Sequence, residues 1–206
     1  MRAHRLSVAL TQPPACRSVP RGALFIFAQT LAPMLLSRPL LNRLRAIVEP
    51  VAERNGCELV AVEFIGGLGG RRTLRVSIDR PGGVGIDECT KVSRQLSPVL
   101  DVEDPIDGPY DLELSTPGME RPVQRIEDFA RFAGCEVRIK PFGADAKRRV
   151  KGTLCGVDGE LVRVRVAEEE RLLSLDEIER AHLVLTITQF QRLGQGLHPL
   201  GTGETP

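Results

Sequence analysis

The spacing of apolar residues changes period along the chain, and each change predicts an element. Leu40, Leu41, Leu44, Ile47, Val48 and Val51 recur at helical spacing. Ser37 and Pro39 stand at the start and Gly56 at the end, so a capped helix is expected there. Pro50 lies inside the pattern and predicts a bend or weak last turns. "CELVAVEFI" and "TLRVSIDR" then alternate at period two around "GGLGGRR", the signature of a hairpin. After "PGGVG", Asp87 is placed to cap a second helix carrying Cys89, Val92, Leu96, Val99 and Leu100, with Pro98 late in it. "DVEDPIDGP" reads as an extended solvated loop and "YDLELS" as a further strand. The order α-β-β-α-β predicts a small sheet with helices on one face.

Past "LSTPGMERPV" the period shortens. "IEDFARFAG" predicts one or two helical turns ending at Gly134. "CEVRIKP", "RVKGTLCGV", "ELVRVRV", "RLLSL" and "HLVLT" follow as short strands, with Asp158-Gly159 as a tight hairpin turn and "LDEIER" as a helical turn before the last strand. Five strands without crossover helices predict a small barrel. The fold class is therefore α+β. Residues 1–36 are expected to be a poorly ordered extension, 37–116 an α/β domain, 117–122 a joint, 123–190 a barrel domain with a short leading helix, and 191–206 a glycine-containing flexible tail. In the joint, Pro117 and Gly118 suit the two central positions of a type II turn. Ser115 and Thr116 can satisfy backbone groups where the strand ends, Glu120 and Arg121 can anchor the turn, and Pro122 stiffens its exit.

Composition adds two constraints. Aromatics make up 4% of 206 residues, with no tryptophan and one tyrosine, so the cores must be built from Leu, Val and Ile. Two small cores suit that better than one large one. The net charge of +1 hides an uneven distribution. Residues 34–116 carry 10 basic and 13 acidic side chains, 135–166 carry 8 and 4, and 167–206 carry 3 and 7. A basic segment between acidic ones suits a charged partner, nucleic acid or a basic protein. The five cysteines are odd in number and never paired as C-x-x-C, which argues against a disulfide framework or a zinc site and fits a reducing compartment. The run "ALFIFAQTLAPMLL" is too short to span a membrane and is interrupted by Pro33. It reads as part of a disordered leader, or of a start assigned too early, with Met34 as the true beginning.

Sites for bond-making chemistry are poorly supported. "GGLGG" contains G-x-x-G but joins two strands, and "PGGVG" lacks the lysine and hydroxyl of a phosphate loop. Ser115 is not in a nucleophile elbow, and no base is placed for it, so a hydrolase is the distant alternative. Asp101, Glu103, Asp104 and Asp107 match no calcium loop and read as an acidic docking surface for a basic protein. Lys140, Lys147, Arg148, Arg149, Lys151, Arg163 and Arg165 form the candidate RNA contact, since phosphate contact requires only positive charge within reach.

Taken with this order of elements, "LELSTPGMERPV", "VEPVAERNGCELVAVEF", "LRVSIDRPGGVGIDECTKVSRQLSPVLD" and "GTLCGVDGELVRV" resemble the ribosome maturation factor RimP family, a bacterial family, over roughly 40–188. The resemblance implies a cytoplasmic, non-enzymatic assembly factor. A KH-type-like α-β-β-α-β domain would be followed by a small SH3- or Sm-like β-barrel, with no cofactor or metal. The implied partners are the small ribosomal subunit precursor, a basic small-subunit ribosomal protein near the decoding centre, and ribosomal RNA. No membrane association is implied, and a monomer is expected. The alternative is a general RNA-binding Sm-like module.

Overall fold

The computed structural model describes residues 37–66, 72–142 and 149–201. The leader, the tip of the first hairpin, Lys147, Arg148 and the last five residues lie outside the described residues.

Helix α1 (Arg38–Arg54) starts after Ser37 with proline in its first turn and continues past Pro50. Strands β1 (Glu58–Gly66) and β2 (Arg72–Asp79) form the expected antiparallel hairpin. Helix α2 (Ile86–Glu103) returns the chain so that β3 (Tyr110–Ser115) pairs parallel to β2, giving the order β1-β2-β3. Leu74, Val76 and Ile78 alternate along β2 and share one core with Leu44 and Val48 of α1 and Val92 and Leu96 of α2. Both helices therefore cover the same sheet face.

Two local expectations are corrected here. Asp87 does not cap α2. The N-cap is Gly85, and Glu88, three residues on, accepts a hydrogen bond from the Gly85 N–H at 3.0 Å while pairing with Arg80 at 2.6 Å. A carboxylate at that third position reaches back to the cap amide, whereas Asp87 sits in the first turn. The acidic stretch is also not wholly loop. α2 takes in Asp101 and Glu103 and stops at Asp104, whose φ of 38° lies in the left-handed region that Asp tolerates.

The second sheet contains β4 (Glu120–Pro122), β5 (Glu136–Pro141), β6 (Val150–Asp158), β7 (Leu161–Val166), β8 (Glu169–Ser174) and β9 (Ile178–Val184) in the order β4-β9-β5-β6-β7-β8. It has six strands because Glu120–Pro122 pairs with β9. Among the described residues no ladder joins β8 back to β4, so closure into a barrel is not seen. Helix α3 (Ile126–Arg131) contributes Phe129, which joins Phe132, Val137, Ile139, Leu154, Val162, Val164 and Leu183 in a second core. Gly156, with φ of 97°, stands at the irregularity between β6 and β7, where a bulge needs that conformation.

The stretch expected as a flexible tail from 191 is folded through 201. Helix α4 (Ile187–Gly194) is capped by Thr186, whose hydroxyl accepts from the Gln189 N–H while the Gln189 side chain accepts from the Thr186 N–H. Leu193 and Pro199 are buried, and the Gly82 N–H donates to the Gly194 carbonyl at 2.8 Å.

Gly152 gives the sheet a steric test. A Cβ there would lie 2.3 Å from the Arg165 carbonyl oxygen and 2.9 Å from Val164 Cγ1. Gly152→Ala is expected to cost about 1–3 kcal/mol by forcing β6 away from β7. Urea unfolding checks this, and an unchanged midpoint would contradict the close approach.

Candidate functional site

The joint lacks the turn that its sequence suggests. Gly118 is not among the glycines with positive φ, so the type II turn is absent. Thr116–Met119 instead lead directly from β3 into β4, because pairing with β9 extends past both ends of that strand. The Leu185 N–H donates to Met119 O at 3.0 Å, and the Val123 N–H to Ala181 O at 2.9 Å. β4 is the edge strand, which is where Pro122 is tolerated. Pro117 is buried, and the Ser115 hydroxyl donates to the Thr116 carbonyl at 3.3 Å. The two charged residues separate: Glu120 is exposed and pairs with Arg138 at 2.8 Å, whereas Arg121, 4% exposed, pairs with Asp79. The Arg121 guanidinium also lies 5.8 Å from the Phe132 ring centroid.

Beside the joint runs a polar seam that the sequence did not reveal. The Gln124 side-chain amide donates to Val62 O at 2.8 Å and accepts from the Val62 N–H at 3.0 Å, as a neighbouring strand would. Arg45, 7% exposed, donates to the same Gln124 oxygen at 3.2 Å. Arg180 Nη2 donates to Phe64 O at 3.1 Å, so the free edge of β1 is covered twice. Arg125 reaches Glu49 at 2.7 Å, Asp128 at 3.5 Å and Glu58 at 3.7 Å. Burial works against the Arg125 charge, but Asp128, Glu49 and Glu58 outweigh it and raise its pKa. Burial pushes the Asp128 carboxyl up, with Arg125 pulling it back. "VQR" carries no motif that marks these roles.

The acidic set is exposed at one end of the first sheet. Asp101 and Glu103 occupy the last turn of α2, Asp104 ends it, and Asp107 lies in the loop before β3. Arg43 holds the Glu103 carbonyl at 2.9 Å, and Arg72 holds that of Asp107. Asp101, Glu103 and Asp104 stand where carboxylates oppose the helix dipole, and the Arg43 guanidinium at the Glu103 carbonyl offsets them. Burial, then Asp101 and Asp104, push the Tyr110 hydroxyl up.

The basic set is on the second sheet, and much of it is already neutralised. Val137 and Ile139 in β5, and Val162 and Val164 in β7, point inward. Their neighbours Arg138, Lys140, Arg163 and Arg165 therefore point outward, and Lys151 lies opposite Arg138. Lys140 pairs with Glu179 at 2.6 Å, Lys151 with Glu136 at 3.2 Å and Arg163 with Glu170 at 2.9 Å. Among the described residues Arg149 and Arg165 are exposed and have no ion pair. The outward Arg138 and Arg180 were not expected in this set, although strand alternation around Val137 and Ile139 was signal enough for Arg138.

Chemistry at Ser115 finds no partner among the described residues. His182 faces Glu63 at 3.7 Å, and His198 donates from Nε2 to Arg131 O at 2.6 Å while Nδ1 accepts from the Leu200 N–H. No group of His, Cys, Asp or Glu suited to a metal occurs among the described residues, and no described helix is long and apolar enough to cross a membrane.

Two predictions follow from the seam. Gln124→Ala leaves the buried Val62 amide groups unbonded, at about 1–3 kcal/mol per group. Urea unfolding with hydrogen exchange at Val62 measures this, and unchanged stability and protection would contradict the clamp. His182 is held below its ordinary pKa, chiefly by burial, with Glu63 opposing. The unfolded chain therefore binds the proton first. The stability from neutral His182 is full above about pH 6.5 and falls as pH drops from there through the lowered folded value. His182→Gln is expected to flatten the melting temperature against pH across that window, and an unaltered slope would contradict the assignment.

Residues 47–120, from the middle of α1 to the first residue of β4, match the family model described as the RimP N-terminal domain.

Proposed function

We propose that this chain is a member of the RimP family and a non-enzymatic factor in maturation of the small ribosomal subunit. It acts in the cytoplasm by binding the free subunit precursor through a basic ribosomal protein and adjoining ribosomal RNA. In this reading the α-β-β-α-β unit of 37–116 is the KH-type-like domain and 123–190 the SH3/Sm-like barrel domain, connected through 117–122. The match over 47–120 carries the proposal. The separation of charge supports it: Asp101, Glu103, Asp104 and Asp107 at one end suit a basic protein, and Arg149 and Arg165, with Lys147 and Arg148 from the sequence, suit phosphate.

The ion pairs of Lys140, Lys151 and Arg163 weigh against the rival, a general RNA-binding module. Phosphate would have to displace Glu179, Glu136 and Glu170 from their partners. Recognition of protein and RNA together asks less of that face.

Sedimentation with free small subunits, large subunits and whole ribosomes tests the reading. The chain is expected to travel with free small subunits alone, and its binding to weaken steeply with added salt. Asp101→Lys with Asp104→Lys, and separately Arg149→Glu with Arg165→Glu, are each expected to reduce association about tenfold or more. Equal binding to naked RNA and to small subunits would favour the rival. Absence from small subunits would overturn the proposal.

A further inference from the structure

The seam between the two cores is segregated by charge. Its carboxylates come almost entirely from the unit of 37–115 and its cations from the unit of 120–201. Asp79 pairs with Arg121, Glu49 with Arg125 at 2.7 Å, and Glu58 with Arg125 at 3.7 Å and Arg131 at 3.3 Å. Glu63 faces His182 at 3.7 Å, and the Phe64 carbonyl accepts from Arg180 at 3.1 Å. One pair runs the other way, Arg38 with the exposed Asp176 at 3.8 Å. Arg121, Arg125, Arg131, Arg180 and His182 all reach the first unit, so they form one cationic face of the second. Closure of that face is incomplete. Among the described residues, Arg45 Nη2, Arg125 Nε and His182 Nε2 are buried without a hydrogen-bond partner in the protein, and all three lie in the seam. A buried polar atom left unmet opposes closure, since its desolvation exceeds what a typical hydrogen bond returns.

We propose that the seam is an autoinhibitory latch, in which carboxylates of the first unit occupy a cationic surface of the second that receives an RNA phosphate backbone when the seam opens. Residues 116–119 are the covalent link between the units, so opening pivots there. Carboxylate and phosphate oxygens accept the forked N–H donors of arginine alike, so one set of guanidinium groups serves both occupants. Arg121, Arg125, Arg131 and Arg180 supply that set, and their release together would concentrate positive charge on one face. The outer face of the second sheet offers less. Lys140, Lys151 and Arg163 hold partners from their own sheet, which opening does not remove. The inference deepens the proposed function, on which it rests for the presence of RNA, by naming how that contact is regulated.

The test uses the full chain and a short oligouridylate. Fluorescence anisotropy measures binding, and amide exchange at Val62, whose N–H the Gln124 side chain holds, reports opening. Saturating RNA is expected to speed that exchange in the natural chain. Glu49→Gln with Glu58→Gln is expected to tighten binding about tenfold or more. Asp87→Asn with Glu160→Gln makes the same charge change at exposed positions outside the seam and is expected to tighten it far less. Adding Arg131→Gln and Arg180→Gln to the first pair is expected to remove the gain. Binding with unchanged Val62 exchange would overturn the proposal, because RNA would then sit on the closed protein. That readout decides alone if the seam variant fails to fold. Equal gains from both acid pairs, or oligoglutamate bound as tightly as RNA, would also overturn it, because charge alone would then suffice. No RNA binding with intact sedimentation on small subunits sinks the latch alone. RNA-driven opening without that sedimentation sinks the functional reading alone.

Discussion

Two small cores are joined by a layer of arginines and one glutamine, and the geometry of everything else depends on that layer. Gln124 replaces a missing strand at Val62, Arg121 pairs with Asp79 while nearly buried, and Arg125 gathers Glu49, Glu58 and Asp128. Such contacts add little net stability compared with apolar packing, because desolvation offsets most of the attraction. Their directionality is the gain. A bidentate amide and an anchored guanidinium admit one register between the surfaces, whereas two smooth apolar faces would slide.

That division of labour explains what was legible in the sequence. The elements of the first core followed from periodicity, since Leu44, Val48, Leu74 and Val76 recur at the spacings of helix and strand. The short strands after Gly134 followed from alternation and from Asp158-Gly159. The missed features depend on partners distant in sequence. Glu120–Pro122 reads as a stiff exit from a turn until β9 arrives to pair with it, and that pairing also removes the need for positive φ at Gly118. The fold of 187–201 was announced by Thr186 and Gln189, a capping box hidden by the glycines after it. Gln124 and Arg125 carry no local pattern, so only the folded chain shows their work.

The candidate surfaces show the same limit. Charge counting located acidic and basic regions but not their neutralisation, because Lys140 and Glu179, or Arg163 and Glu170, meet only when strands pair or bulge. The acids around the end of α2 and before β3 are exposed, with Arg43 at the Glu103 carbonyl and Arg72 at that of Asp107. No base belongs to the last turn of α2 itself, so Arg43 from α1 supplies the cation at that helix end.

If the seam couples the two cores as described, they should melt as one. Differential scanning calorimetry of the full chain, compared with Gln124→Ala combined with Arg125→Ala, is the direct measurement. A single transition whose calorimetric and van't Hoff enthalpies agree is expected for the natural sequence, splitting into two in the double variant. Two separate transitions in the natural sequence, or an unsplit one in the variant, would contradict the account.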